Sequence, residues 1–242
     1  MIRRGGLIGI GVVAMLTMSG IAAQGASAKL YTCSPFAANL EFSNSTCTSG
    51  VGKAEYGHLA FSEHTKRKWV ITRSMVIKST HAGVKLGITA TGLSGEGKIE
   101  NVEGAEPYEY GEGPFVFEGV TVTEPSGKGC KVAGGAFTSK EIETTTFKQG
   151  AFTRFKPLTG TVVAEFTVEG CSVSSLNTSY KLEGSFKGIQ TGSEIALVHT
   201  EVTEQGTLTL GGVAAGIEGL FDIEARKTES TEPFRKLATT PF

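Results

Sequence analysis

Aspartate is almost missing from this chain: Asp222 is the only one, and every other acidic side chain is a glutamate. Calcium loops of the D-x-[DN]-x-[DN]-G kind need several short carboxylates at close spacing, and paired-aspartate catalysis needs two, so both are excluded. Tryptophan is as scarce, with Trp69 alone beside five tyrosines, a thin supply of rings for a glycan-cleaving cleft. No C-x-x-C, H-E-x-x-H, H-x-H or G-x-S-x-G occurs. Thioredoxin-like redox chemistry, the familiar zinc sites and a nucleophile-elbow serine therefore lack their signatures. The four histidines, His58, His64, His81 and His199, stand apart from one another and read as surface or rim residues.

What the chain does have begins with a leader. Arg3 and Arg4 precede an uncharged stretch from Leu7 to Ala23, and Ala26-Ser27-Ala28 gives the small-x-small pattern a signal peptidase accepts. Residues 1–28 are expected to be a signal helix removed after Ala28. An uncleaved anchor is the competing reading, weakened by Gly5, Gly6, Gly9, Gly11 and Gly20 within or before a barely sufficient apolar span. Without Arg3 and Arg4 the 23 basic side chains become 21, against 24 acidic ones, a net of −3. That mild acidity offers no general attraction to nucleic acid, and no membrane contact is expected after cleavage.

For an exported chain, Cys33, Cys47, Cys130 and Cys171 read as two disulfides. Three pairings are open. Cys33 with Cys47 and Cys130 with Cys171 is favoured, because Cys130 and Cys171 each follow a glycine at the end of a strand-like run. Loop closure would then contribute about 3 and about 4 kcal/mol. No cofactor and no metal site is expected.

Alternation with a period of two runs through the chain beyond the leader. Val84, Leu86, Ile88 and Ala90 point one way and Lys85, Gly87, Thr89 and Thr91 the other. Val162 to Val168, Tyr180 to Phe186 and Ile217 to Ala225 repeat the pattern, and Trp69, Ile71, Met75 and Ile77 form a further face. Glycine-rich turn signals at 92–97, 125–129, 134–135 and 211–212 separate the runs. The fold class expected is all-β, an antiparallel β-sandwich or closed β-barrel spanning 29–227 as a single domain. Residues 228–242, with Pro233 and Pro241, read as a loose C-terminal tail or a late edge segment.

A faint internal echo links Phe115 to Cys130 with Val162 to Cys171: apolar strand, then Gly-Cys. In this respect the chain resembles leader-bearing, threonine- and glycine-rich secreted bacterial proteins with no assigned activity. The resemblance covers Phe115 to Phe186, implies secretion and a β fold, and transfers no functional residue.

The densest local feature is acidic. Glutamates at 96, 100, 103, 106, 109 and 112 surround Tyr108 and Tyr110, with Gly104, Pro107, Gly111 and Gly113 breaking the run. Glu106, Tyr108, Glu109, Tyr110 and Glu112 are the candidate ligand loop, because carboxylates accept from hydroxyls or hold cations and tyrosines pack on sugars. A solvated hairpin tip is the plainer reading of the same residues. Lys66, Arg67 and Lys68 likewise read as a solvated turn.

The leading functional reading is a secreted non-catalytic β module, a binder associated with the cell envelope, whose partner is a cell-wall or extracellular glycan or a protein. The alternative is a secreted glutamate-dependent, glycosidase-like hydrolase. Glutamates are plentiful enough to supply paired carboxylates, but nothing in the sequence separates an acid from a nucleophile. An outer-membrane barrel is disfavoured by Pro241, the cysteines and the lack of aromatic girdles.

Overall fold

The computed structural model describes residues 30–34, 39–44, 47, 49–55, 57–60, 65–71, 73–102, 109–147, 152–191, 193–199, 207–227, 231 and 233–239. The expected signal helix, 1–28, lies outside them. Among these residues twenty-one strands follow in order: β1 (Leu30–Ser34), β2 (Gly57–Ala60), β3 (Thr65–Ile71), β4 (Met75–His81), β5 (Val84–Ala90), β6 (Gly92–Ser94) and β7 (Glu96–Asn101). Next come β8 (Glu109–Gly113), β9 (Val116–Glu118), β10 (Thr121–Glu124), β11 (Lys131–Val132), β12 (Phe137–Thr138), β13 (Ile142–Phe147) and β14 (Phe152–Pro157). The last are β15 (Val162–Glu169), β16 (Thr178–Glu183), β17 (Phe186–Thr191), β18 (Glu194–His199), β19 (Thr209–Leu210), β20 (Val213–Lys227) and β21 (Arg235–Thr239).

Period-two alternation decides which side of each strand is buried. In β13, Ile142, Thr144 and Thr146 are buried while Glu143, Thr145 and Phe147 face outward, and in β14 Thr153, Phe155 and Pro157 are the inner set. Two hairpins close through two-residue loops with both φ values positive, Ala82-Gly83 between β4 and β5 and Gly211-Gly212 between β19 and β20. That geometry gives the twist which flanking strands need.

Every pairing is antiparallel, and β20 organises them. It is 15 residues long and pairs with β3, β4, β18, β19 and β21. A ladder leaves it through β18, β17, β14, β13, β8 and β7 and returns through β3. A second set reaches β5 and β10 through β4, and β16, β15 and β11 through β19. The five neighbours of β20 are spread along its length, no residue of it having more than two partners, and the chain is an all-β antiparallel assembly. Strands β6, β9 and β12 form a separate three-stranded sheet.

Phenylalanines fill the space enclosed. Phe155 stacks on Phe186 with centroids 5.0 Å apart and meets Phe221 edge-on at 6.0 Å, and all three are essentially inaccessible. Each such ring contributes about 2 to 3 kcal/mol by leaving water. A smaller cluster of Tyr31, Cys33, Cys47 and Phe42 lies apart, under β1 and the Cys33–Cys47 bridge. The second bridge joins Cys130 to Cys171 beside the β11–β15 pair.

Register is marked on the outer surface by opposed charges. Lys68 and Glu224, Lys98 and Glu112, Lys131 and Glu169, Lys156 and Glu143, and Lys181 and Glu165 each sit directly opposite and within ion-pair distance. Exposed pairs of this kind add little stability singly. A one-residue slip would lose them together with the buried face.

Of the two readings of 228–242, the described residues hold a late strand rather than a loose tail. Arg235–Thr239 is β21, paired with both β1 and β20. Phe234 anchors it, with the Arg226 guanidinium 4.4 Å from its ring centre, and Lys236 donates to Asp222 at 2.7 Å. The strand is too short and too charged to show a period, and its anchors lie on other elements.

Candidate functional site

Strand β8 brings part of the acidic cluster onto a rigid face. Glu106 and Tyr108 lie outside the described residues. Glu109, Tyr110 and Glu112 stand on β8, paired with β7 on one side and β13 on the other, and not in a loop. The glycines that suggest breaks do the opposite. Gly111 and Gly113 are buried inner residues opposite Thr144 and Ile142, and the Thr144 hydroxyl donates to the Gly111 carbonyl at 3.2 Å. A Cβ on Gly97 would collide with the Glu112 carbonyl, so close approach of β7 requires glycine there.

Facing outward, Glu112 is held by two neighbours. Lys98 donates to its Oε1 at 3.0 Å and the Tyr110 hydroxyl to its Oε2 at 3.4 Å. The hydrogen bond and charge of Glu112 raise the Lys98 pKa. Burial, and then the negative charge of Glu112, raise that of Tyr110. Both groups keep their protons across the neutral range.

Beside this trio opens a cleft of about 320 Å³ lined by Glu96, Gly97, Lys98, Glu112, Glu141 and Leu158. Glu96 and Glu141 are exposed, and Leu158 is 38% exposed. The Leu158 N–H donates to the Glu141 carbonyl at 2.8 Å, fixing the two side by side. Carboxylates on a wet rim with one apolar wall can take ammonium, guanidinium or hydroxyl donors. Glu141, Lys98 and Leu158 escape sequence reading because only the β8–β13 and β7–β8 pairings bring them to Glu112.

Two other polar groupings have the look of chemistry. Ser79 Oγ and His81 Nε2 are 2.8 Å apart on β4, and His81 meets the Tyr180 ring edge-on at 5.1 Å. The i, i+2 spacing on a strand is the one sequence signal for that contact. Ser79 is 1% exposed, so its hydroxyl is out of reach of a substrate and the pair serves packing. Inside the β13–β14–β17 ladder, Thr146, Thr153 and Gln190 form a buried network, the Thr153 hydroxyl donating to the Gln190 side-chain Oε1 at 2.8 Å. Asn177 is tied to Cys171 by two hydrogen bonds of 2.8 and 2.9 Å.

The four cysteines are bridged, Cys33 to Cys47 and Cys130 to Cys171. Among the described residues no His, Cys, Asp and Glu side chains gather into a metal-binding set, and no helix is long and apolar enough to cross a membrane. Comparison with protein-family models, with curated proteins and with solved structures finds no match to this chain.

Proposed function

We propose that this is a secreted, non-catalytic β module of the bacterial cell envelope that works by binding, with the β7–β8–β13 cleft as its recognition face. Its partner is an extracellular glycan or protein presenting cationic or hydroxyl donors. The architecture is read as a sandwich-like pair of curved ladders sharing β20. Two disulfides support an oxidising compartment, and the leader pattern supports export. One observation carries the binding reading: the Glu96 and Glu141 carboxylates have no hydrogen bond or ion pair among the described residues, yet stand beside exposed Leu158 on a braced sheet. Calorimetry with cell-wall oligosaccharides and with oligolysine tests it. Glu96→Gln/Glu141→Gln is expected to weaken binding tenfold or more. Absence of heat with every probe at about millimolar concentration overturns the reading.

A hydrolase is the second reading, favoured by the convergence of three glutamates on one cleft. Turnover of a glycan by the wild type, abolished in Glu141→Gln, would put it first.

A further inference from the structure

The outer face of the β13–β14 hairpin changes character along its length. At one end are Glu141 and Leu158, with Glu96 nearby. Glu143 and Lys156 neutralise each other in the middle at 3.0 Å. At the far end Phe147 and Phe152 stack with centroids 4.9 Å apart. Arg154 lies 5.2 Å from the centre of the Phe147 ring, and Lys187 of β17 lies 4.6 Å from that of Phe152. Ile189, directly opposite Phe152, is 49% exposed.

Arg154 and Lys187 are themselves directly opposed across β14 and β17. Like charges in that position repel, and neither has a carboxylate partner among the described residues; the phenyl rings stand where a counter-ion would. The face therefore carries an unneutralised basic, apolar end and an acidic, apolar end where Glu96, Glu112 and Glu141 outnumber the one cation, Lys98. Along the strand from Glu141, the cations lie four residues away, about 13 Å, and the stacked rings six, about 20 Å.

We propose that this face is a self-association surface. Two copies pack face to face about a two-fold axis lying between the sheets and perpendicular to the line joining the two ends. Arg154, Lys187 and Ile189 of each copy then meet Glu96, Glu141 and Leu158 of the other, so one isologous contact satisfies both ends twice. The stacked rings engage each other and the two cations, which leaves their edges outward and suits apolar side chains better than the flat face of a sugar. The face spans about 20 Å by four strand spacings, about 19 Å, or roughly 400 Å² per copy. A stable interface takes about 800 Å² per partner, so the dimer is weak and salt-sensitive. This inference rests on the binding reading and names the partner of the same cleft.

Sedimentation equilibrium of the purified chain, up to about 1 mM at low ionic strength, tests it. A monomer–dimer equilibrium is expected that weakens tenfold or more in about 0.5 M salt. Arg154→Glu/Lys187→Glu and Glu96→Lys/Glu141→Lys are each expected to be monomeric with unchanged circular dichroism, and an equal mixture to recover the dimer. A wild type that stays monomeric, or a mixture that does not associate, overturns the inference. If the monomeric wild type still binds a glycan and Glu96→Gln/Glu141→Gln does not, the binding reading survives without the dimer.

Discussion

Gly129 and Gly170 face each other across the Cys130–Cys171 bridge, each with its carbonyl oxygen 2.9 Å from where a Cβ on the other would stand. Both have left-handed backbone, φ +73° and +74°. A side chain at either place meets a backbone penalty and a carbonyl at once. Gly170→Ala is expected to cost about 2 kcal/mol in urea unfolding. A loss below about 0.5 kcal/mol would show that the two turns move apart freely.

The β4–β5 loop offers the opposite experiment. Ala82 has φ +47° in a two-residue turn before Gly83 and is exposed. A residue other than asparagine, aspartate or glycine is disfavoured there. Ala82→Asn is expected to stabilise the chain by about 0.5 to 1 kcal/mol, read as a higher urea midpoint with unchanged slope.

Much of this was legible in the residues, for stated reasons. Period-two alternation at Val84 to Ala90 and Val162 to Val168 predicts strands because one face of each is buried, as found in β5 and β15. The repeated Gly-Cys marks the Cys130–Cys171 bridge because the turn on each side needs a glycine. Gly111 and Gly113 mislead for the converse reason: a small residue in a strand looks like a break when its role is close packing. The cleft was half visible, since Glu96 and Glu112 belong to one acidic run. Glu141 and Leu158 reach it through long-range pairing, which no local pattern encodes.

Asp222 and Lys236 give a pH dependence. Asp222 accepts from Ser193 at 2.8 Å and from Lys236 at 2.7 Å. The hydrogen bond from Lys236, opposed by its partial burial and aided by the charge of Asp222, raises the Lys236 pKa above its ordinary 10.5. Folded-state elevation of a lysine means the stabilisation is complete below that ordinary value and is lost as pH rises through the folded one. Hydrogen exchange of β21 and β1 is therefore expected to quicken above about pH 10.5, beyond the intrinsic rate increase, while the Phe155 core stays protected. Asp222→Asn should produce the same local loosening at neutral pH, at a cost near 1 kcal/mol given the exposure of Lys236. Uniform exchange across both regions would contradict this.

The two bridges should differ in reach. Cys33 and Cys47 are 14 residues apart and brace the small cluster under β1, whereas Cys130 and Cys171 are 41 apart and tie into the main core. Cys33→Ser/Cys47→Ser is expected to raise exchange in β1 and β2 alone. Cys130→Ser/Cys171→Ser should lower global stability by about 4 kcal/mol in denaturant titration. Equal global losses would mean that the two clusters unfold as one.

The proposed binding role requires a strand scaffold closed by sulfur bridges outside the cytoplasm. Peptide mapping by mass spectrometry, without reduction, of the natively produced protein recovered from culture medium and envelope fractions tests this directly. Linked peptides joining Cys33 to Cys47 and Cys130 to Cys171, on a chain beginning after Ala28, are the result expected. Free thiols at these positions, in material confined to the cytoplasm with Met1 to Ala28 intact, would contradict it.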